Sequence, residues 1–252
     1  MSSMKRTLAL VPAAGLLALA AAGPATAATG DTYQAQLSSM NKSGASGTAQ
    51  VTVLDGNRLR VQINSRGFLP GQPHAAHIHF APEASHSCPT AAADTDGNGF
   101  ISTPEGIPAY GEINLSLTTE GDVSPAAALA VENFPTADDG TISYDRTFDI
   151  PSTLDPANLG DAVIVQHGID VNGNGMYDME APIGASPLNP QLPAEATHPA
   201  ACGALNMMPA GGAATGAGST AGSLDTGLLA GGALAMAAGG VLLLRRRTAG
   251  EQ

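Results

Sequence analysis

The sequence predicts an all-β fold of the antiparallel sandwich type, and three observations carry that prediction. Short segments of alternating, β-branched residues recur along the chain. Glycine- and proline-containing turns separate them. No stretch of helical periodicity occurs before residue 223, apart from a short alanine-rich piece at residues 125–131. Sheets built from such strands have one apolar face each, and packing two of them face to face buries both.

Lys5 and Arg6 precede an apolar run over residues 8–22, and Ala25-Thr26-Ala27 follows as a small-x-small cleavage site. This pattern predicts an export signal over residues 1–27 and a mature domain over residues 28–206. Strands are predicted at residues 32–37 and 47–54, with Asp55-Gly56-Asn57 as the turn into a third at 58–63. Gly67-Phe68-Leu69-Pro70-Gly71 turns the chain toward the strand containing Pro73-His74-Ala75-Ala76-His77-Ile78-His79. Further strands are predicted at 111–118, 141–150 and 162–167. Pro104, Gly106 and Pro108 argue against a helix in their segment.

Residues 207–226 shift to Gly, Ala, Ser and Thr, the composition of a flexible linker. Residues 227–244 are uncharged and about 27 Å long as a helix, near the lower limit for crossing a bilayer. Arg245-Arg246-Arg247 would keep the tail, residues 245–252, on the cytoplasmic side. Ser223-Leu224-Asp225-Thr226-Gly227 resembles a sortase sorting signal, without its proline. The expected location is the extracellular face of the membrane or the cell wall, held by one C-terminal transmembrane helix.

Between residues 28 and 222 there are 20 Asp and Glu against five Lys and Arg, a balance of −15. Such a surface repels nucleic acid and anionic lipid headgroups. The two cysteines, Cys88 and Cys202, predict one disulfide in an exported chain. Closing a loop of more than a hundred residues would stabilise the domain by about 4 to 5 kcal/mol on the chain-entropy account.

Three of the six histidines lie at positions 74, 77 and 79. On a strand, His77 and His79 share one face, where two imidazoles can ligate one metal ion. His167 ends the apolar strand Val163-Ile164-Val165-Gln166. Residues 94–105 fit the twelve-position calcium loop of an EF-hand, with oxygens from Asp94, Asp96 and Asn98, glycine at the sixth position and Glu105 at the twelfth. A second loop offers Asp170, Asn172, Asn174 and Asp178, but its twelfth position is Ala181. Weaker calcium binding is expected there.

The histidine stretch resembles the copper strand of the Cu/Zn superoxide dismutases, a Gly-x-His-Gly-Phe-His-Val-His run. Cys88 follows His79 by nine residues, the spacing of that family's first disulfide cysteine, and Ala201-Cys202-Gly203 is similar to the segment of its second. Ile164-Val165-Gln166-His167 is similar to the family's Val-Val-His copper strand. Residues 33–79 also resemble a CHRD domain, the chordin-type module of bacterial secreted proteins. The resemblance implies a Greek-key sandwich with copper (or zinc) held by His77, His79 and His167, and His74 orienting them from behind.

Two departures are specific. The family's bridging histidine falls at Asp94, so its zinc site is absent; Asp94 becomes a candidate fourth oxygen ligand. The family's active-site arginine falls at Pro199, beside His198. Superoxide is an anion, and an acidic surface without that arginine slows its approach. The expected function is therefore a surface-anchored binding or structural module with a partial copper site and calcium loops. The alternative is a copper-only superoxide dismutase. The sequence names no protein or cell-wall partner.

Overall fold

The computed structural model describes residues 27–209. The predicted export signal apart from Ala27, most of the linker, the sorting-like segment, the predicted transmembrane helix and the basic tail lie outside the described residues. Among the described residues no helix is long and apolar enough to cross a membrane.

Among the described residues nine strands form one antiparallel sheet: β1 (Thr32–Ser39), β2 (Ser46–Leu54), β3 (Arg58–Arg66), β4 (Ala76–Phe80), β5 (Glu112–Ser116), β6 (Thr141–Asp149), β7 (Val163–His167), β8 (Pro199–Ala204) and β9 (Asn206–Met207). Their order is β5-β4-β7-β8-β1-β2-β3-β6, with β9 beside β1. The chain crosses between the β1-β2-β3-β6 half and the β5-β4-β7-β8 half at the β3–β4, β5–β6 and β6–β7 connections. Strand β1 belongs to both halves. Its residues from Thr32 to Leu37 pair with β2, while Ser38 and Ser39 pair with Cys202 and Ala201 of β8.

The alternation read from the sequence explains the core. In β3 the buried residues are Leu59, Val61, Ile63 and Ser65, every second position, while Arg60, Gln62 and Asn64 between them point to the other face. Tyr33, Val51 and Ile63 of one half join Ile78, Leu115 and Ile164 of the other in a single apolar cluster. The β2–β3 turn carries Gly56 and Asn57 at φ 72° and 58°, the left-handed region that glycine and asparagine tolerate best. Side chains of edge strand β6 reach the segment that follows the other edge strand, β5. Arg146 Nη1 and the Tyr144 hydroxyl both donate to the Thr118 carbonyl, at 2.8 and 3.0 Å.

Strand β7 is buried along its whole length because both its faces are covered. Ile164 faces the main core, and Val163 and Val165 join Met40, Ile101, Tyr110 and Cys202 in a second cluster. Over that cluster lies a helix that the sequence reading argued against, α1 (Thr103–Tyr110). Pro104 sits in its first turn, where no N–H is needed, and a capping box between Ser102 and Glu105 closes its start. The second helix, α2 (Ala194–Thr197), is one buried turn. The alanine-rich piece forms short 3-10 turns, Pro125–Ala127 and Val131–Asn133. Cys88 and Cys202 form the disulfide, with Cα atoms 5.7 Å apart at a sequence separation of 114.

Candidate metal centre

On β4 the two-residue period sends Ala76 and Ile78 to the main core and His77 and His79 to the opposite face. Strand β7 pairs beside it, with His77 opposite Val165 and His79 opposite Val163. Register shifts fall between Ile78 and His79 on the β5 side, and between Gln166 and His167 on the β8 side. Bulges of this kind re-aim side chains. One ring nitrogen from each of His77, His79 and His167 lies within 4.8 Å of the other two. All three residues are at most 3% exposed.

Each ring is oriented from behind by a backbone carbonyl. His77 Nε2 lies 3.2 Å from the Ala128 oxygen, His79 Nδ1 3.0 Å from that of Gly111, and His167 Nδ1 2.7 Å from that of Thr197. A carbonyl only accepts, so each of these nitrogens carries the ring proton. The remaining nitrogens, His77 Nδ1, His79 Nε2 and His167 Nε2, are buried with no hydrogen-bond partner. Three buried lone pairs without a partner are costly unless an ion takes them. Donation of the far N–H to a carbonyl is the arrangement that orients metal-ligating imidazoles.

The rings are neutral at ordinary pH. Burial lowers His79 to about 4 and His167 to about 3, with neighbouring histidines adding to the effect at His167. Burial, then the His167 and His79 rings, push His77 well below 6.5. Gly111 has φ 91°, and a Cβ there would come 2.4 Å from the Ala81 nitrogen. Only glycine therefore brings this carbonyl to His79. The Tyr110 ring of α1 packs edge-on against His79, with centroids 4.6 Å apart, and Phe134 packs against His77 at 5.3 Å.

His74 lies outside the triad. It is fully buried, with Nδ1 2.8 Å from the His167 carbonyl oxygen and Nε2 3.1 Å from that of Leu69. Its ring therefore lies against the backbone of a triad residue and not among the three facing nitrogens.

Asp94 is not placed with the histidines: its carboxylate groups with those of Asp96 and Glu105. Asp94 accepts from the amides of Gly97, Asn98 and Gly99, and Asp96 and Asn98 each accept from an amide two residues on. Glu105 Oε1 accepts from the Thr95 amide and hydroxyl, and Oε2 from those of Ser102. Burial alone would raise this carboxyl; the hydrogen bonds from Ser102 and Thr95 outweigh it and hold it at about 2.

The second loop repeats this wiring. Asp170 accepts from the amides of Gly173 and Gly175, and Asp178 from the side chains of Asn172 and Asn174. In place of a twelfth-position glutamate, Glu195 of α2 enters from elsewhere in the chain. It is fully buried and accepts from the amides of Val171 and Asp178 at 2.7 and 3.0 Å. Val171 is the second residue of its loop, as Thr95 is of the first. No local spacing pointed to Glu195, nor to His198, which is buried with Nδ1 unpartnered.

The chain matches no protein-family model, and no curated protein matches it in sequence. Among solved structures it is similar to the clock protein EA4, at 17% identity and TM-score 0.40, over 73% of this chain and 99% of that one. It is also similar to the Cu(II) form of superoxide dismutase 5 from Candida albicans, at 13% identity and TM-score 0.38, over 74% of this chain and 98% of that one.

Proposed function

We propose that this chain is a metal-binding β-sandwich module that holds copper at His77, His79 and His167. The observation that carries the reading is the set of three buried, unpartnered imidazole nitrogens within 4.8 Å of one another. The donor set is all imidazole, which suits copper or zinc and does not suit calcium or magnesium. When bound, copper would supply one-electron redox chemistry. The chain's own residues contribute three oriented lone pairs, a water-poor surrounding and the carbonyls of Ala128, Gly111 and Thr197 that keep the far nitrogens protonated.

The role is binding or structural, with the two Asp- and Asn-rich loops taking calcium and the domain held outside the cell by its C-terminal segment. Calcium rests on the loop residues and export and anchoring on the terminal sequences. The second reading, a copper-only superoxide dismutase, draws on the imidazole-only centre. Two facts weigh against turnover: the triad is at most 3% exposed, and the domain's −15 balance (20 acidic against five basic residues) opposes an incoming anion.

The test is to load purified protein with Cu(II), remove excess and measure retained copper and its paramagnetic resonance spectrum. One copper per chain with nitrogen coupling, lost in His77→Ala, is expected. Protein that retains no copper would sink the proposal, and rapid superoxide dismutation by the loaded form would move it to the second reading.

A further inference from the structure

The three facing imidazole nitrogens are closed off from solvent, so an ion reaches them only if a covering element moves. Among the described residues two segments lie over them. One is α1, whose Tyr110 packs on His79 and whose Thr103 shares the Thr197 carbonyl with His167. The other is the 3-10 segment that brings Ala128 and Phe134 to His77. That second cover is tied in by its backbone: the carbonyls of Val123, Asn133 and Pro135 accept from the amides of Ser116, Thr119 and His74. Helix α1 is held differently. Pro108 removes an N–H from its interior and Gly106 is a poor helix former, so it has little stability of its own. Its two ends are fixed. Ahead of it the Asn41 side chain brackets Ile101, accepting from its amide at 2.7 Å and donating to its carbonyl at 2.9 Å. At its far end the Pro108 and Ala109 carbonyls accept from the amides of Ser85 and Ser87. Between these ends, residues 102–107 are tied to the rest of the chain through side chains. Glu105 Oε1 accepts from the Thr95 and Asp96 amides, and the Thr103 hydroxyl donates to the Thr197 carbonyl. Tyr110 depends on the same stretch: its hydroxyl donates to the Thr103 carbonyl at 2.7 Å, and its ring lies so close to Gly106 that a Cβ there would overlap it. On the other side of the helix, Glu105, Pro108 and Ala109 border a cavity of about 420 Å³ shared with Thr95 and Cys88.

We propose that residues 102–107 form a gate over the triad, latched by Glu105, through which the metal ion enters and leaves. Glu105 is a positioning residue: its hydrogen bonds run to Thr95, Asp96 and Ser102 and to no triad ring. When they break, the first turn of α1 is freed and the Tyr110 hydroxyl loses the fixed partner that holds its ring on His79. The cavity beside Glu105 gives that turn room to move, while Asn41 and the Ser85 and Ser87 amides keep both ends in place.

The gate rests on the copper reading for what passes it, and its opening is tested without metal. In metal-free protein and calcium-free buffer, hydrogen exchange compares the Gly106 amide, bonded to the Ser102 carbonyl inside the gate, with the Ile101, Ser85 and Ser87 amides at its fixed ends. Glu105→Gln replaces one accepting oxygen by a donor and should speed Gly106 exchange about 10-fold, leaving the three end amides unchanged. With Cu(II) and a competing chelator, the same variant should take up and release copper about 10-fold faster, its affinity changing less than either rate. Damage to the ligand geometry would instead speed release without speeding uptake. Tyr110→Phe, which keeps the ring and removes its bond to Thr103, should quicken both rates as well and serves if Glu105→Gln folds poorly. Ser124→Ala, which uncaps the 3-10 turn of the other cover, should alter neither rate. Unchanged Gly106 exchange, acceleration of all four amides together, copper uptake that does not quicken, or faster copper exchange in Ser124→Ala alone would each overturn the gate. Wild-type protein that holds no copper would remove the metal from the proposal, while the Gly106 amide still decides whether residues 102–107 open.

Discussion

The Thr197 carbonyl oxygen accepts from both His167 Nδ1, at 2.7 Å, and the Thr103 hydroxyl, at 2.6 Å. One oxygen thus ties a triad ring to the first turn of α1. Replacing Thr103 by valine keeps the shape and deletes the second donor. The expected cost is about 1 kcal/mol of stability, with a further loss of copper affinity if the covering helix loosens. Denaturant unfolding and copper competition on Thr103→Val measure the two separately, and no change in stability would count against the bond.

Acidification should destabilise the metal-free protein over a defined window. The histidines titrate near 6.5 when unfolded, but His79 and His167 are held at about 4 and about 3 in the folded state. Between those values the unfolded chain binds more protons, so stability falls as pH drops from 6.5 toward 4. Above 6.5 these groups contribute no slope. Melting temperatures between pH 8 and 5 read this out, and bound copper should flatten the curve by holding the rings deprotonated.

Reduction of the Cys88–Cys202 bridge should remove about 4 to 5 kcal/mol, because it closes a loop with a sequence separation of 114. The check is the unfolding midpoint with and without a reductant. An unchanged midpoint would show that the denatured chain is not constrained as expected.

Glu195→Gln should destabilise the second loop by about 1 to 3 kcal/mol. One of the carboxylate oxygens that now accept from Val171 and Asp178 would become an amide donor facing an N–H. Hydrogen exchange at those two amides should accelerate before the rest of the domain does.

Calcium should raise the melting temperature relative to chelator, and Asp94→Ala should lose the part that belongs to the first loop. Identical melting curves with calcium and with chelator would remove calcium from the account.

Much of this architecture is legible in the chain because it depends on local period. Strands β1, β2, β3, β6 and β7 lie within a few residues of their predicted bounds, and the pairing of cysteines followed from there being only two. Helix α1 was hidden by Pro104 and Pro108, although Ser102 and Glu105 spell out its capping box. Strand β8 is built of small residues without β-branching, Pro199-Ala200-Ala201-Cys202-Gly203-Ala204, so propensity was silent. The histidines could be grouped from spacing and resemblance. Glu195 could not, because the partner that gives it meaning, the Val171 amide, is reached only through the fold.

Strand β1 is the second neighbour of β8 and the strand on which β9 pairs, and it lies at the opposite end of the domain's chain. The join between the two halves therefore waits for residues 199–207 to be synthesised. Until then β1 can pair only with β2, and the outer row of its amides and carbonyls stays open. Contacts this distant in sequence slow folding. The domain is thus built to remain incomplete while its chain is still emerging, and the pairing of Ser38 with Cys202 is the step that also brings the second sulfur to Cys88.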